Sequence, residues 1–355
     1  MLDLKLKQTF ALICPPATPS GRIRFPGGGL TPTFMPSSPH VLVVGSIMQD
    51  LTFTCADFPV GGQTIMARLA VGQGGKGSNQ AIACGRTGIR TTFLGAMGPG
   101  AYAEEVAAFY RREKIGCRLA LKPAHPTGTA VILINREGQN QIVIEPGANA
   151  HLAPADVPRA LLAGAKVVVT QLESNQATTA HVLRAARQAG ATTLLNPAPM
   201  RDDFDSKLLR HVDILIPNES EFVALVQRLP AIRQQAFNES ALLALSWHAL
   251  HALCRKFGVP TLIVTLGSRG CFISEPHGHL FIPAYRGLKV VDTTGAGDAF
   301  CGGFAAGLVR HEGRIAEAAR LGTAVAALSI TKPGAAFAMP TQAELRRFLK
   351  KNRPA

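Results

Sequence analysis

At 355 residues, 47% of them hydrophobic, the chain has the length and apolar content for one large α/β domain or two small ones. Its formal net charge is +14, but lysine and arginine are spread along the chain with small clusters only at the ends; no zinc-finger spacing, basic-region helix or aromatic RNA-binding motif accompanies them, so nucleic acid is not an expected partner. No apolar run approaches the ~18 residues of a membrane span, and seven isolated cysteines without a CxxC pair exclude a disulfide framework and a zinc ribbon and point to a reducing, cytoplasmic setting.

Residues 1–39 are rich in proline and glycine and hold one acid, Asp3. Too little can be buried there to offset the ordering entropy, so a disordered extension is expected. It reads as a dispensable tail or, being basic and acid-poor, as a targeting presequence. From His40 the pattern turns α/β. Val41-Leu42-Val43-Val44 is a short apolar run ending in Gly45, as a buried parallel strand should be. Thr92-Phe93-Leu94, Val167-Val168-Val169, Thr193-Leu194-Leu195, Ile214-Leu215-Ile216 and Leu262-Ile263-Val264 repeat it, with helical stretches at 176–188, 218–227 and 241–256. The alternation predicts a Rossmann-like three-layer α/β/α sandwich with a mainly parallel central sheet, over residues 40–355. Two segments break the rhythm: 51–71 and 128–144 read as strand without helix, the second turning through Asn135-Arg136-Glu137-Gly138 as a hairpin. They predict a small inserted sheet, a lid or a dimer surface.

Chemistry concentrates in two places. Val290-Val291-Asp292 reads as the end of an apolar strand, Thr293-Thr294-Gly295-Ala296-Gly297 as a small-residue loop, and Asp298 as the start of a helix. Such a passage aims backbone N–H groups at one point, where the helix dipole adds positive potential and glycine lets a phosphate come close. A carboxylate beside an anion is costly unless it takes a proton from an attacking hydroxyl; the bland reading is a helix cap. The second place is Gly72-Gln73-Gly74-Gly75-Lys76-Gly77-Ser78-Asn79-Gln80. Lys76 is followed by glycine, so the P-loop pattern GxxxxGK[ST] fails. A glycine-lined loop before a helix, carrying a cation and an amide, suits a polyhydroxyl compound; otherwise it is a flexible turn.

These two segments resemble the signature motifs of the ribokinase-like (PfkB) carbohydrate kinases. Five further stretches follow in the family's order over residues 40–350: Gly45-Ser46-Ile47-Met48-Gln49-Asp50, Gln171-Leu172-Glu173, Asn196-Pro197-Ala198-Pro199, Pro217-Asn218-Glu219-Ser220-Glu221 and Thr265-Leu266-Gly267-Ser268-Arg269-Gly270. The resemblance implies ATP-dependent phosphorylation of D-ribose at O5, with 2-deoxy-D-ribose or another sugar as the alternative. It makes Asp298 the catalytic base and Gly295, Ala296 and Gly297 the anion hole. Asp50, Gly74, Gly75, Lys76, Asn79 and Glu173 would bind the sugar together with Asp298. Asn218, Thr265, Gly267, Gly270, Gly297 and Thr323 would face the nucleotide. Asn218 and Glu221, three apart on one helix face, would orient Mg²⁺ through water, unless they only cap the helix. K⁺ is implied as an activator, near Asp292, Thr294, Lys332 and Gly334. A homodimer through the small sheet would hide its edges.

Three positions depart from the family pattern. Met48 stands where some relatives carry Asn, and a thioether packs better against a less hydroxylated carbon. Ala338 replaces a common Ser and removes one oxygen ligand for K⁺, while Gly98-Pro99-Gly100 lies where a GxD turn is frequent. A kinase for fructose, a keto-deoxy sugar acid or a nucleoside would share the fold. A non-catalytic sugar binder should have lost Asp298 or the glycines before it. A nicotinamide oxidoreductase would need GxGxxG after the first strand and an acid about 20 residues on, which is not there.

Overall fold

The first apolar run forms β1 (Val41–Val44), its four residues all buried, as in a strand with neighbours on both sides. The structure is a computed structural model that describes residues 40–230 and 232–352; the disorder expected for 1–39 lies outside the described residues. Past Gly45 the chain leaves for an antiparallel pair, β2 (Met48–Thr54) and β3 (Arg68–Gly74), and returns in α1 (Lys76–Arg86). Next come β4 (Thr91–Met97), α2 (Ala101–Arg112) and β5 (Gly116–Leu121). A second excursion, β6 (Gly128–Ile134) and β7 (Asn140–Glu145), is the hairpin expected there. Asn135 shapes its turn, Oδ1 accepting from the amides of Glu137 and Gln139 at 3.1 and 2.9 Å.

The second half runs through α3 (Arg159–Ala163), β8 (Val167–Thr170), α4 (Gln176–Gln188), β9 (Thr192–Leu195), β10 (Ile214–Leu215) and α5 (Glu219–Arg228). It continues with α6 (Glu239–Ala244), α7 (Trp247–Arg255), β11 (Thr261–Thr265), β12 (Gly270–Glu275) and β13 (Gly278–Pro283). The last three helices are α8 (Ala296–Arg310), α9 (Ile315–Ser329) and α10 (Gln342–Lys351).

Nine strands form one sheet in the order β13-β12-β11-β10-β9-β8-β1-β4-β5, parallel except where β12 meets its two neighbours. The pleat of β1 sends Val41 and Val43 into a core with Ile82, Phe304 and Val325, and Leu42 and Val44 into another with Val168 and Val182. Both faces are therefore covered, which gives the expected α/β/α sandwich. Strand order reverses beside β1, with β4 and β5 on one side and β8 on the other. In doubly wound sheets the crevice at that reversal, beyond the carboxyl ends of the strands, is where ligands sit.

β3, β2, β6 and β7 form a separate four-stranded sheet, as the rhythm break at 51–71 and 128–144 predicts. It exposes Leu69, Val71, Val143 and Ile144, each at 43% or more.

Helix α8 packs backbone against backbone. A Cβ on Gly302 would strike the Gln80 carbonyl oxygen on α1, one on Gly303 would lie 2.8 Å from the Val325 Cβ, and one on Gly307 2.5 Å from the Ala318 Cα of α9.

Two expectations need correction. Residues 290–292 are not a strand: Val290 and Val291 are 57% and 50% exposed, and the segment hangs on bonds from the Val291 and Asp292 amides to the Ile330 carbonyl. The sheet has already ended at β13, whose last residue is Pro283, and proline cannot donate to a ladder. The helix expected at 241–256 is two helices, because Ser246 leaves helical geometry to cap α7, its Oγ accepting from the Ala249 amide at 3.2 Å.

Candidate active site

The crevice beside β1 is narrowed by glycine. A Cβ on Gly77 would lie 2.7 Å from the Gly45 carbonyl carbon, so the first turn of α1 rests on the end of β1. Gly75 caps α1 at φ 88°, and a Cβ there would meet the Ile47 Cα at 2.7 Å; both the conformation and the space require glycine. The Asp50 carboxylate lies where a Cβ on Gly74 would be. Lys76 gives its amide N–H to Glu173 Oε2 at 2.9 Å, and Ser46 Oγ donates to the same oxygen at 2.5 Å. Asp50, Lys76 and Glu173, far apart in sequence, thus surround one end of the crevice.

The other end belongs to α8. Gly295, its N-cap, adopts φ 76°, and its missing Cβ would lie 3.0 Å from the Ala335 Cβ. Asp298 sits in the first turn, 6% exposed. Its Oδ2 accepts from Asn79 Nδ2 and its Oδ1 from Gln80 Nε2, both at 3.0 Å. Beside it opens a cavity of about 150 Å³, lined by Lys76, Asn218, Glu221, Thr265, Gly297 and Asp298 among others. A Cβ on Gly297 would meet nothing within 4 Å, so this backbone faces open space.

Four carboxylates and one ammonium set the electrostatics. Burial, then the charges of Glu173 and Asp298, push the Asp50 carboxyl up to about 7. For Lys76 burial opposes the charge, but Asp298, Glu173 and Glu221 together outweigh it and leave the ammonium harder to deprotonate than usual. Glu221 is raised by burial, partly offset by its bond from the Asn218 amide and by Lys76. The Cys301 thiol is pushed far up by burial and by Asp298 and Glu221, and so stays a neutral packing group. Asn79 Oδ1 is buried without a partner among the described residues, an acceptor left for a ligand. Carboxylates, a half-buried cation and an open amide suit a polyhydroxyl ligand at one end, and a helix N-terminus suits an anion at the other.

Asn218 and Glu221 form the helix cap that was one of the two readings offered for them. Asn218 Oδ1 accepts the Glu221 amide at 2.8 Å while Glu221 Oε2 accepts the Asn218 amide at 3.0 Å, a reciprocal capping box. Both also line the cavity, as does Thr265. Gly267 and Gly270 bound the short turn between β11 and β12, and Thr323 lies on α9 with its hydroxyl on the Ala319 carbonyl; these three are not among the lining residues. Asp292 ties Thr294 to Gly334, its two oxygens accepting their amides at 2.9 and 2.8 Å. The Lys332 ammonium turns to Glu344 at 2.6 Å, a bond that lowers the Glu344 carboxyl to about 2. Sequence reasoning gave Gln80, Asn196 and Ser46 no role as site residues, although each lies inside a motif it singled out.

Residues 38–342 match the family model described as pfkB family carbohydrate kinase. The ribokinase of Staphylococcus aureus (strain COL) is 32% identical over 311 residues, which cover 86% of this chain and 98% of that protein. The deoxyribokinase of Salmonella typhi is 30% identical, over 88% of this chain and 99% of that protein. Among solved structures, ribokinase from Giardia lamblia superposes with a TM-score of 0.78 at 33% identity, over 87% of this chain and 99% of that one. Arabidopsis thaliana ribokinase complexed with ribose and ATP gives 0.74 at 29% identity, over 88% and 99%. A glycine-built crevice, a buried carboxylate at a helix N-terminus and near full-length likeness to sugar kinases lead to one conclusion: the chain belongs to the pfkB family of carbohydrate kinases.

Proposed function

We propose that the protein transfers the γ-phosphoryl group of ATP to O5 of D-ribose, giving D-ribose 5-phosphate and ADP. The reading is carried by the Asp298 carboxylate, buried at the start of α8 and hydrogen-bonded to Asn79 of the glycine-rich loop. Asp50, Glu173 and Asn79 accept hydroxyl hydrogens of the sugar, Lys76 donates, and Gly74 and Gly75 let the ring approach the backbone. As O5 attacks the γ-phosphorus its proton passes to Asp298, the bond to the bridging oxygen breaks, and ADP leaves. Backbone amides of Gly295 and Gly297 face the charge that develops on the transferring group; the Ala296 amide, expected to join them, donates instead to the Thr293 carbonyl at 3.1 Å in the ligand-free protein. Thr265, with Gly267, Gly270 and Thr323 around it, lies on the nucleotide side.

The donor set fits Mg²⁺ only through water. Both Glu221 oxygens already accept protein hydrogen bonds, from the Asn218 amide and from Asn218 Nδ2 at 3.1 Å. No group of three or more His, Cys, Asp or Glu side chains among the described residues could hold a metal. An oxygen-lined edge without a cage suits an ion that arrives with its nucleotide and keeps its water. Bound there, the ion neutralises phosphate charge. For K⁺, Asp292, Thr294 and Gly334 are joined in one loop cluster, whereas the Lys332 ammonium is engaged elsewhere, leaving its backbone to contribute.

One assay tests sugar and cation together: coupled ADP release over a pentose and hexose panel, in K⁺ or Na⁺ buffer. D-ribose should show the highest kcat/KM, and K⁺ should raise turnover. Met48 favours the second reading, 2-deoxy-D-ribose, because its side chain is buried against Ala130 and Ile132 and offers no hydrogen bond. Equal or better use of deoxyribose overturns the order of the two sugars, and equal rates in Na⁺ overturn the role of K⁺.

The exposed apolar residues of the small sheet support a homodimer formed across it. Its solution mass should be twice 37.5 kDa, and a monomer at micromolar concentration would contradict the pairing. No helix among the described residues is long and apolar enough to cross a membrane. The cysteines among the described residues, all free, support a place in the cytoplasm, against which intermolecular disulfides in freshly isolated protein would count.

A further inference from the structure

Asn79 and Gln80 are consecutive on α1, yet they hold Asp298 in different ways. Asn79 gives one N–H to the carboxylate and keeps its Oδ1 open, as a side chain shared with a ligand would. Gln80 keeps nothing open. It is fully buried, its Oε1 accepts from Gln171 Nε2 at 2.7 Å, and the two hydrogens of Nε2 go to Asp298 Oδ1 at 3.0 Å and Asn196 Oδ1 at 3.1 Å. Asn196 in turn donates to the Ile216 carbonyl at 2.9 Å and to Glu221 Oε2 at 3.4 Å. Donation runs one way, from Gln171 to Gln80 to Asn196 to Glu221. A flipped Gln80 amide would set its oxygen against two acceptor oxygens in a dry interior, so the orientation is fixed.

Packing fixes the distance as well. Gln80 lies where α1 and α8 touch backbone to backbone at Gly302, and Gln171 occupies the space that a Cβ on Gly45 would take. The residue type matters too. A lysine here would pair with the carboxylate and weaken it as a proton acceptor, and a glutamate would share its proton. A neutral amide orients the charge without cancelling it.

We propose that Gln80 is a positioning residue for phosphoryl transfer, one that holds Asp298 in place while Asn79 is free to engage the sugar. It touches neither sugar nor nucleotide and acts only through the carboxylate. The inference rests on the reading of Asp298 as the base.

Gln80→Met keeps the volume and removes all three hydrogen bonds. Its kcat should fall roughly 10- to 100-fold, while KM for ATP and for sugar stays within about threefold because no ligand contact is lost. In an Asp298→Asn background the same change should cost less than about twofold more, since the group it orients no longer accepts a proton. Gln171→Met keeps both bonds from Gln80 Nε2 but leaves its buried Oε1 without a donor, so the amide is held less firmly; a loss of about three- to tenfold is expected, and this variant decides the matter if Gln80→Met does not fold. A folded variant with kcat within about twofold of the parent overturns the proposal, as does an equal loss in both backgrounds. Parent-like turnover by Asp298→Asn alone would instead remove the base assignment, a separate failure.

Discussion

Asp298→Asn is expected to lower kcat by about 10³-fold while the KM for ATP stays within about threefold, because general-base help and carboxylate charge are lost together and no nucleotide contact is. The substitution preserves shape. It cannot preserve function, since an amide takes no proton from O5 and its NH₂ would face one of the donors, Asn79 Nδ2 or Gln80 Nε2, that now bind the carboxylate. That donor-to-donor contact should also cost about 1–2 kcal/mol of stability in a buried site. Steady-state kinetics at saturating ATP and ribose, with thermal melting as a control, separates the two effects. Turnover like that of the parent would end the role given to Asp298.

The second large effect is a dependence on pH that belongs to the sugar. Asp50 is held at about 7 in the ligand-free protein, by burial first and by Glu173 and Asp298 next. Only its ionised form accepts two hydroxyl hydrogens. Below pH 7, kcat/KM for ribose should therefore fall about tenfold per unit while kcat at saturating ribose stays level. The stability sign is the reverse of that for an ion-paired carboxylate. The folded protein binds this proton more tightly than the unfolded chain, so raising the pH from 3.8 to about 7 costs stability, after which the loss is constant. Asp50→Asn should accordingly melt a few degrees higher than the parent at pH 8. Its KM for ribose should rise roughly 10- to 100-fold, the worth of a charged hydrogen bond. A flat kcat/KM between pH 5 and 8 in the parent would refute the assignment.

Much of the fold could be read from the chain because its strands are short apolar runs punctuated by glycine. Val41 to Val44 has no polar residue and stops at Gly45, the length and boundary of a strand covered on both faces. Where the same rule was applied to Val290 and Val291 it failed, since apolar character does not supply a neighbouring strand, and the sheet edge lay at Pro283. Ser246 was legible only as one polar residue in a helical run; what ended the helix was the cap it could make.

The site divides along similar lines. Asp298 stood out because glycines before a carboxylate have a chemical meaning, and Asn79 because it falls in the glycine-rich segment that resembles a family motif. Gln80 carried no such mark. Its importance arises from contacts with residues 91, 116 and 218 positions away, which no local pattern encodes. Asn218 and Glu221 show the converse: one spacing allowed a helix cap or a water-mediated Mg²⁺ role, and the structure shows the cap at the edge of the cavity.

The glycines of α8 also set where this enzyme is open to change. Gly302, Gly303 and Gly307 meet neighbouring helices at contact distance, so even alanine there must push a helix aside. The scaffold behind the carboxylate is in that sense closed to redesign, and directed evolution toward other sugars should collect its successes on the four-stranded sheet, where side chains border water and can be exchanged without moving the backbone that carries Asp298.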